Sequence, residues 1–276
     1  MFRNLKQVIE QKGTVRLLEA HNPLCGSIIE NSDFDGMWSS SLTDSASMAL
    51  PDCEVHSIQK RLDIIQYTFN ATSKPLLMDV DSGGNPEQLA YHLKAIQRMG
   101  ISGVVVEDKV GFKQNSLTEN VKQQQDTVLG FSHKLKLASD VLQHKDFLLV
   151  ARIESLILGE TVVQALNRAD AYINNGANSI MIHSTETDPV MLMKFVEQFK
   201  QKHSVPLVIV PTTYNTVSIN TFRKAGVDVV IYANHLLRAS VTAMTDVANS
   251  ILIDGMSANV ESEIISAKEL IERTIK

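Results

Sequence analysis

The chain has 276 residues, of which 44% are hydrophobic and 21% are charged, proportions that are typical of a globular protein. Its formal net charge of −5 argues against a surface that binds nucleic acid or an anionic membrane. Its two cysteines, Cys25 and Cys53, exclude a disulfide scaffold and a four-thiolate zinc site.

The N-terminal segment, residues 1–13, is polar and helix-like and lacks the apolar core of a secretory signal. The longest apolar runs, such as FLLVA at 147–151, fall far short of the roughly 20 residues that span a bilayer. We therefore expect a cytoplasmic protein without a membrane segment.

Short apolar runs alternate with longer amphipathic stretches along the chain. The runs are nearly continuous in hydrophobicity, as in strands that are buried on both faces of a parallel sheet. They are RLLEAH (16–21), DGMWSS (35–40), PLLMDVD (75–81), GVVVED (103–108), FLLVARIE (147–154), SIMIHS (179–184), PLVIVP (206–211) and DVVIYA (228–233).

Helical patterns fill the intervals between these runs. Examples are PEQLAYHLKAIQRMG (86–100) and TVVQALNRADAYINNG (161–176), each of which ends with Gly. RMG, NNG and KAG each come just before a predicted strand, so the helix-to-strand turns share one design. Eight strands interleaved with helices predict an α/β fold, specifically a (β/α)8 TIM-type barrel. We expect this barrel to form one domain over residues 1–276. A doubly wound open sheet is the alternative.

The segment SEIISAKELIERTIK (262–276) follows the last predicted strand and has the pattern of a long amphipathic helix. We predict a C-terminal helical arm at about 258–276. It would either cap the barrel or join subunits of an oligomer.

Ionisable residues follow four successive predicted strands, from the third to the sixth. Catalytic residues of a parallel barrel cluster at the C-terminal ends of its strands, so these side chains are expected on one face. Each by itself could be a helix cap or a member of a buried ion pair, but the repetition favours a site. The residues are Asp79 and Asp81, then Glu107, Asp108 and Lys109, then Arg152 and Glu154, and finally His183.

The chemistry of this cluster predicts a divalent cation. Asp79, Asp81 and Glu107 offer only hard oxygen ligands, which suit Mg²⁺ and not zinc. Asp52, in the loop after the second strand, is a fourth candidate. The cationic Arg152 and His183 could hold an anion, so the cluster as a whole favours a small polyanionic substrate.

The segment EDKVGFKQNSLTEN (107–120) is long, polar and basic at a point where other strand-to-helix turns are short. Long loops of this kind in barrels are commonly lids. We predict a lid at about 109–120, with a merely solvated loop as the alternative.

At this loop the chain resembles a known family. Glu107-Asp108-Lys109, five further residues and then Asn115-Ser116 form the pattern EDKxxxxxNS. The pattern is similar to the signature of the phosphoenolpyruvate mutases, within the isocitrate lyase/phosphoenolpyruvate mutase superfamily. The resemblance extends from about residue 14 to residue 260 through the blocks EAHN (19–22), MWSSSL (37–42), MDVDSGGN (78–85), VARIES (150–155), MIHS (181–184), IVPTTY (209–214) and YANHLLRAS (232–240).

The resemblance implies an isomerase that uses Mg²⁺ to interconvert phosphoenolpyruvate and phosphonopyruvate, the P–C bond-forming first step of phosphonate biosynthesis. It implies Asp79 as the direct Mg²⁺ ligand, with Asp52, Asp81 and Glu107 placing the metal's waters. The substrate's carboxylate end would contact Trp38, Ser40, Ser41 and Leu42. The phosphoryl group would contact Lys113, Asn115, Arg152 and His183.

The resemblance also implies a homotetramer, built as a dimer of dimers in which a C-terminal helix is swapped between subunits. The P–C product is the less stable one, so a downstream enzyme such as a phosphonopyruvate decarboxylase would be needed for net flux.

Two related activities differ from the mutase pattern at single positions. Isocitrate lyases and 2-methylisocitrate lyases carry a KKCGH-type motif with a catalytic Cys after the fourth strand, where this chain has none. Phosphonopyruvate hydrolases tend to have Thr where this chain has Asn115, which favours the mutase. A hydrolase, or another carboxylate-binding member of the superfamily, remains the alternative.

Two blocks depart from the family's usual sequences. The block WGSGL of the family is WSSSL here, with Ser39 and Ser41 in place of glycines. If Ser41 had to adopt a positive φ, it would be strained. The DTGYGN turn is DSGGN here, one residue shorter beside the expected metal site.

Overall fold

The computed structural model describes residues 3–111, 115 and 123–275. The chain divides into two compact units, Met1–Asn234 and His235–Lys276, where the sequence predicted one domain over 1–276. The predicted lid at 109–120 falls mostly on residues outside the described ranges.

The first unit contains a closed barrel of eight parallel strands. The described strands are β1 (Val15–Glu19), β2 (Gly36–Ser39), β3 (Leu76–Asp79), β4 (Gly103–Glu107), β5 (Lys109–Val110), β6 (Gln124–Gln125), β7 (Leu148–Ile153), β8 (Ser179–Ile182), β9 (Leu207–Ile209) and β10 (Val229–Tyr232). The order around the barrel is β1-β2-β3-β4-β7-β8-β9-β10, and its closure by pairing between β1 and β10 confirms the (β/α)8 barrel and excludes the open sheet. Each of the apolar runs coincides with one barrel strand, and the short β5 and β6 form a separate antiparallel pair.

Most helices of this unit begin after a residue whose side chain caps the first turn. Before the fifth helix, Asn85 and Gln88 form a capping box, and Pro86 is its first residue. The turns RMG, NNG and KAG share one design, because Gly100, Gly176 and Gly226 all have positive φ, at 87°, 107° and 85°. The helices are α1 (Leu5–Lys12), α2 (Pro23–Glu30), α3 (Ser41–Ser47), α4 (Ile58–Ala71), α5 (Pro86–Met99), α6 (Val128–Asp140), α7 (Val162–Asn174), α8 (Val190–Lys202) and α9 (Ile219–Lys224).

The barrel interior is a packed apolar core to which every barrel strand contributes. Helix α1 adds Leu5 and Ile9 to it. Trp38, at the C-terminal part of β2, belongs both to this core and to the pocket described below. The strand residues of the core are Val15, Leu17, Trp38, Leu77, Val105, Leu148, Val150, Met181, Val208, Val229 and Ile231.

The second unit contains α10 (His235–Asp254) and α11 (Ala267–Ile275). Helix α11 lies within the predicted C-terminal arm. No residue of α10 is buried, and many large apolar side chains of this unit are exposed. By length and composition alone α10 could cross a membrane. Polar residues are spread along this helix, so it contains no long uninterrupted apolar run.

The close approach of β4 and β7 generates a first prediction. A Cβ at Gly103 would come within 2.5 Å of the Leu148 carbonyl oxygen and 2.6 Å of the Leu148 Cβ. We expect Gly103→Ala to lower the free energy of unfolding by about 1–3 kcal/mol, because the two strands must move apart. Urea denaturation measures the change, and an unaltered midpoint would contradict the argument.

Candidate active site

A pocket of about 660 Å³, including its open mouth, lies at the C-terminal ends of the barrel strands. It brings together the predicted metal, substrate-binding and catalytic residues that the structure describes. Asp108 and Glu154 of the predicted ionisable cluster are not among its lining residues, and Lys113 lies outside the described residues. The predicted residues that line it are Trp38, Ser40, Ser41, Leu42, Asp52, Asp79, Asp81, Glu107, Asn115, Arg152 and His183.

The pocket has further lining residues, of which Lys109 alone was named in the predicted ionisable cluster. Most of them directly follow the ends of β8, β9 and β10, a position that could have identified them. They are Lys109, Ser184, Val210, Thr212, Thr213, Ala233 and Asn234.

Arg152 is the central cation of the pocket. Its Nε donates to Glu154 Oε1 at 2.5 Å, and its second terminal nitrogen donates to His183 Nδ1 at 2.7 Å. The guanidinium also lies 3.6 Å from Glu107 Oε2 and 4.0 Å from Asp79 Oδ2. The guanidinium thus links the end of β7 to the ends of β3, β4 and β8.

The two glutamates beside Arg152 have opposite pKa shifts. Burial raises the pKa of Glu107 to about 8, although Arg152 and Lys109 oppose this effect. Burial acts in the same direction on Glu154, but the charge of Arg152 outweighs it and holds the pKa of Glu154 well below its usual range. Glu154 is therefore the permanent counter-charge of Arg152.

His183 is held neutral by its surroundings. Burial first, and the charge of Arg152 second, lower the pKa of His183. Because Arg152 donates to Nδ1 at 2.7 Å, the imidazole proton belongs on Nε2. The longer contact of 3.2 Å between Nδ1 and Glu154 Oε1 is then not a hydrogen bond. A neutral His183 can donate one hydrogen bond from Nε2.

Carboxylates surround the position expected for a cation. Asp79 Oδ1 accepts from the Asp81 backbone N–H at 3.0 Å, and Asp79 Oδ2 accepts from Ser41 Oγ at 3.3 Å. Asp81, the first residue of the short DSGGN turn, has a φ of 54°, so the backbone bends sharply two residues after Asp79. Together with Asp52 and Glu107 these groups provide oxygen donors only, and this donor set fits a hard divalent ion such as Mg²⁺.

Asn115 contacts one of these carboxylates. Its Nδ2 donates to Asp52 Oδ2 at 2.6 Å, and its backbone carbonyl accepts from Gln123 Nε2 at 3.3 Å. The candidate lid residue therefore lies within the pocket and beside a candidate metal-site residue.

The base of the predicted lid is anchored by Asp108. Its carboxylate accepts from Tyr172 and from Gln125, each at 2.7 Å, and its backbone carbonyl accepts from the Asp126 N–H at 2.7 Å. Burial raises the pKa of Asp108 to about 6, although the Tyr172 hydroxyl opposes it. These contacts fix the segment that enters and leaves the loop.

The strain that was considered for Ser41 is absent. Ser41 is the first residue of α3, and the described non-glycine residues with positive φ are Ala49, Glu54 and Asp81. The family's glycine is therefore not needed here for its backbone conformation.

Comparison with known proteins finds similarity over nearly the whole chain. The family model of phosphoenolpyruvate phosphomutase matches residues 2–252. The phosphoenolpyruvate phosphomutase of Tetrahymena pyriformis is 38% identical over 96% of this chain and 88% of its own length. The crystal structure of a phosphoenolpyruvate phosphomutase from Streptomyces platensis subsp. rosaceus superposes with a TM-score of 0.93 at 34% identity, covering 98% of this chain and 93% of that one.

A hydrolase is similar to nearly the same degree. The crystal structure of a phosphonopyruvate hydrolase in complex with oxalate and Mg²⁺ superposes with a TM-score of 0.90 at 32% identity. The superposition covers 99% of this chain and 95% of that one. Overall similarity therefore does not distinguish the mutase from the hydrolase activity. The distinction must come from individual residues of the pocket.

A buried cluster at the end of β1 lies beside the pocket residue Trp38, whose strand position pairs with Glu19. His21 Nδ1 is 2.7 Å from Glu19 Oε1, and Cys25 Sγ is 3.6 and 3.7 Å from the two ring nitrogens. Burial lowers the pKa of His21, but the contacts with Cys25 and Glu19 outweigh it and raise the pKa to about 10. His21 is therefore a buried, protonated histidine.

This cluster generates a prediction of pH dependence. The stability from protonated His21 is complete below about pH 6.5, the pKa of an unfolded histidine. It is lost as the pH rises toward the folded value of about 10. We expect the free energy of unfolding to fall over this interval, and to fall less in His21→Gln. Urea denaturation of both proteins at about pH 7 and about pH 9.5 checks this, and equal slopes would contradict it.

Proposed function

The chain belongs to the phosphoenolpyruvate phosphomutase family, and on that premise we propose that it is a phosphoenolpyruvate mutase. The reaction is the Mg²⁺-dependent isomerisation of phosphoenolpyruvate to phosphonopyruvate and its reverse. One observation carries the choice: Asn115 lies in a pocket with four carboxylates, Arg152 and His183. The resemblance noted above associates Asn at this position with the mutase.

The carboxylates provide the metal site of this proposal. Asp79 would bind the ion directly, and Asp52, Asp81 and Glu107 would hold its water ligands. When bound, Mg²⁺ would stabilise negative charge on the enolate oxygen and the carboxylate of the substrate. Trp38, Ser40, Ser41 and Leu42 would receive the carboxylate end of the substrate.

The phosphoryl group would lie against the cationic side of the pocket. Arg152 would hold its oxygens with a guanidinium fixed by Glu154, and neutral His183 would donate from Nε2. Asn115 offers two donors and one acceptor, and Lys113 would contribute charge from the lid. A loose, metaphosphate-like transfer asks for such positioning and charge stabilisation more than for a protein nucleophile.

Hydrolysis of phosphonopyruvate is the second candidate, because a hydrolase structure superposes with a TM-score of 0.90. The two reactions differ in whether water reaches the phosphoryl group. Asn115, held by Asp52 at 2.6 Å, occupies space near this position and favours exclusion of water.

Incubation with phosphonopyruvate and Mg²⁺, followed by ³¹P NMR, tests the proposal. Phosphoenolpyruvate as the product would support the mutase, whereas inorganic phosphate with pyruvate would establish the hydrolase. Unchanged substrate would refute both and point to another carboxylate-binding role.

The unfavourable equilibrium of the reaction implies a second enzyme that consumes the product. Because the P–C product is the less stable side, an enzyme that removes phosphonopyruvate, such as a decarboxylase, would be needed to draw the reaction forward. We propose that the protein acts in the cytoplasm as the first enzyme of a phosphonate biosynthesis.

We also propose that the protein is a homotetramer of two dimers that exchange C-terminal helices. The exposed apolar side chains of residues 235–276 support a partner surface on this unit. They include Val241, Met244, Leu252, Ile253, Met256 and Ile271. Sedimentation at micromolar concentration should give a tetramer, and a monomer would refute the proposal.

The two aspartates Asp79 and Asp52 should differ in their effect on catalysis. We expect Asp79→Ala to abolish turnover at any Mg²⁺ concentration, since the direct ligand is lost. Asp52→Ala should reduce turnover roughly 10–100-fold, as expected for a residue that orients metal-bound water. Part of this turnover should return when the Mg²⁺ concentration is raised. Steady-state kinetics across Mg²⁺ concentrations measure this difference. Complete loss in both variants would show that the two residues share one role.

Asn115 should decide between mutase and hydrolase. We expect Asn115→Ala to reduce mutase turnover roughly 100- to 1000-fold, as for removal of one donor to a developing charge. Substrate binding should weaken less, because Arg152 still holds the anion. Asn115→Thr should in addition release inorganic phosphate from phosphonopyruvate, because a shorter hydroxyl leaves room for water.

Steady-state kinetics with ³¹P NMR of the products measure both Asn115 variants, with the melting temperature as the control. Turnover within about threefold of wild type in a variant of unchanged melting temperature would contradict a catalytic role for Asn115.

A further inference from the structure

Arg61 is a buried cation beneath the pocket and is not among its lining residues. It lies on α4 with 2% of its surface exposed. Its Nε donates to Asp44 Oδ2 at 2.8 Å, and Asp44 is also buried. An ion pair so completely removed from water carries a large desolvation cost, which good geometry and further hydrogen bonds must offset.

The remaining donors of Arg61 reach two strand ends. One terminal nitrogen donates to the backbone carbonyl of Asp79 at 2.5 Å. The other donates to the backbone carbonyl and to the hydroxyl of Ser39, at 3.2 and 2.9 Å. The Ser39 hydroxyl in turn donates to Asp44 Oδ2 at 2.6 Å. The rigid fork of an arginine thus joins the ends of β2 and β3 to α3 and α4.

This network accounts for both serines that replace the family's glycines. Ser39 Oγ is part of the Arg61–Asp44 pair, and Ser41 Oγ donates to the carboxylate of Asp79 at 3.3 Å. Both departures therefore act on Asp79, one at its backbone through Arg61 and one at its carboxylate. Glycine at either position would have no side chain to make the contact.

We propose that Arg61 is a positioning residue for the divalent-cation site. Held by Asp44 and Ser39, it fixes the backbone of Asp79 and thereby the direction of the carboxylate that receives the ion. The same guanidinium fixes the end of β2, from which the substrate-binding residues Ser40 and Ser41 continue. The inference rests on the proposed function only in taking Asp79 as the metal ligand.

Binding of Mn²⁺ alone tests this inference without measuring activity. Loss of the free Mn²⁺ signal in electron paramagnetic resonance gives the dissociation constant. Trp38 is the single tryptophan of the chain and lines the pocket, so its fluorescence gives a second, local reading of the same event.

Arg61→Met should raise the Mn²⁺ dissociation constant roughly 10–100-fold, the range found when a group that orients a metal ligand is lost. Asp44→Asn should act in the same direction and serves if Arg61→Met does not fold. Ser41→Gly should have a smaller effect with an unchanged melting temperature. In enzyme assays, the Mg²⁺ requirement should rise more than turnover at saturating Mg²⁺ falls.

Lys200→Met is the matched control. Lys200 pairs with Asp228 at 2.5 Å, with 19% and 22% of the two side chains exposed. Asp228 directly precedes β10, so the pair lies at the end of the barrel away from the pocket. This variant should lose melting temperature and keep wild-type Mn²⁺ affinity within about twofold.

Wild-type Mn²⁺ affinity in folded Arg61→Met and Asp44→Asn would overturn the inference, whatever their melting temperatures, because Arg61 would then only stabilise the fold. Wild-type protein that binds Mn²⁺ but leaves phosphonopyruvate unchanged would refute the proposed function and not this inference. Wild-type protein that binds no Mn²⁺ would overturn both.

Discussion

The candidate site depends on the pairing of β4 with β7. Gly103 lies opposite Leu148 at the start of this pairing, and its missing side chain lets the two backbones approach. The same register places Glu107 opposite Arg152 four residues later, where both strands end. The register that is set where Gly103 meets Leu148 therefore also places the Glu107 carboxylate beside the Arg152 guanidinium, because paired parallel strands keep one register along their length.

Charge balance within the pocket follows from that placement. Arg152 holds the pKa of Glu154 low and keeps this carboxylate ionised, whereas burial outweighs Arg152 at the neighbouring Glu107 and raises its pKa to about 8. Burial first, and the charge of Arg152 second, lower the pKa of His183 and keep it neutral. The balance between burial and one guanidinium therefore differs at three neighbouring groups.

Mutase and hydrolase relatives share this architecture, so selectivity must come from small differences around it. Asn115 approaches from the loop after β4 and is held by Asp52. At the end of β2, where we propose that the substrate's carboxylate binds, Ser39 contacts Arg61 and Ser41 contacts the carboxylate of Asp79. Polar contacts thus hold side chains at both ends of the pocket.

Local sequence patterns were sufficient for the fold and for most of the pocket. Strands buried on both faces of a barrel must be apolar throughout, and the turns that precede them need Gly at positive φ, so the periodicity marks both. Ionisable residues at the ends of such strands must meet on one face, which is why Asp79, Glu107 and Arg152 could be placed together. The short pair of β5 and β6 gave no such signal, because two-residue strands carry no periodicity.

Only the tertiary structure decided which of these residues touch. Asn115 and Asp52 are 63 positions apart, and Arg61 reaches Ser39 across 22 positions. The proton position on His183 depends on Arg152, which belongs to another strand. A sequence pattern records how often a residue faces the core, because burial repeats with the helix or strand period. Which buried polar groups become partners depends on how separate segments pack when the barrel closes, and no local pattern contains that information.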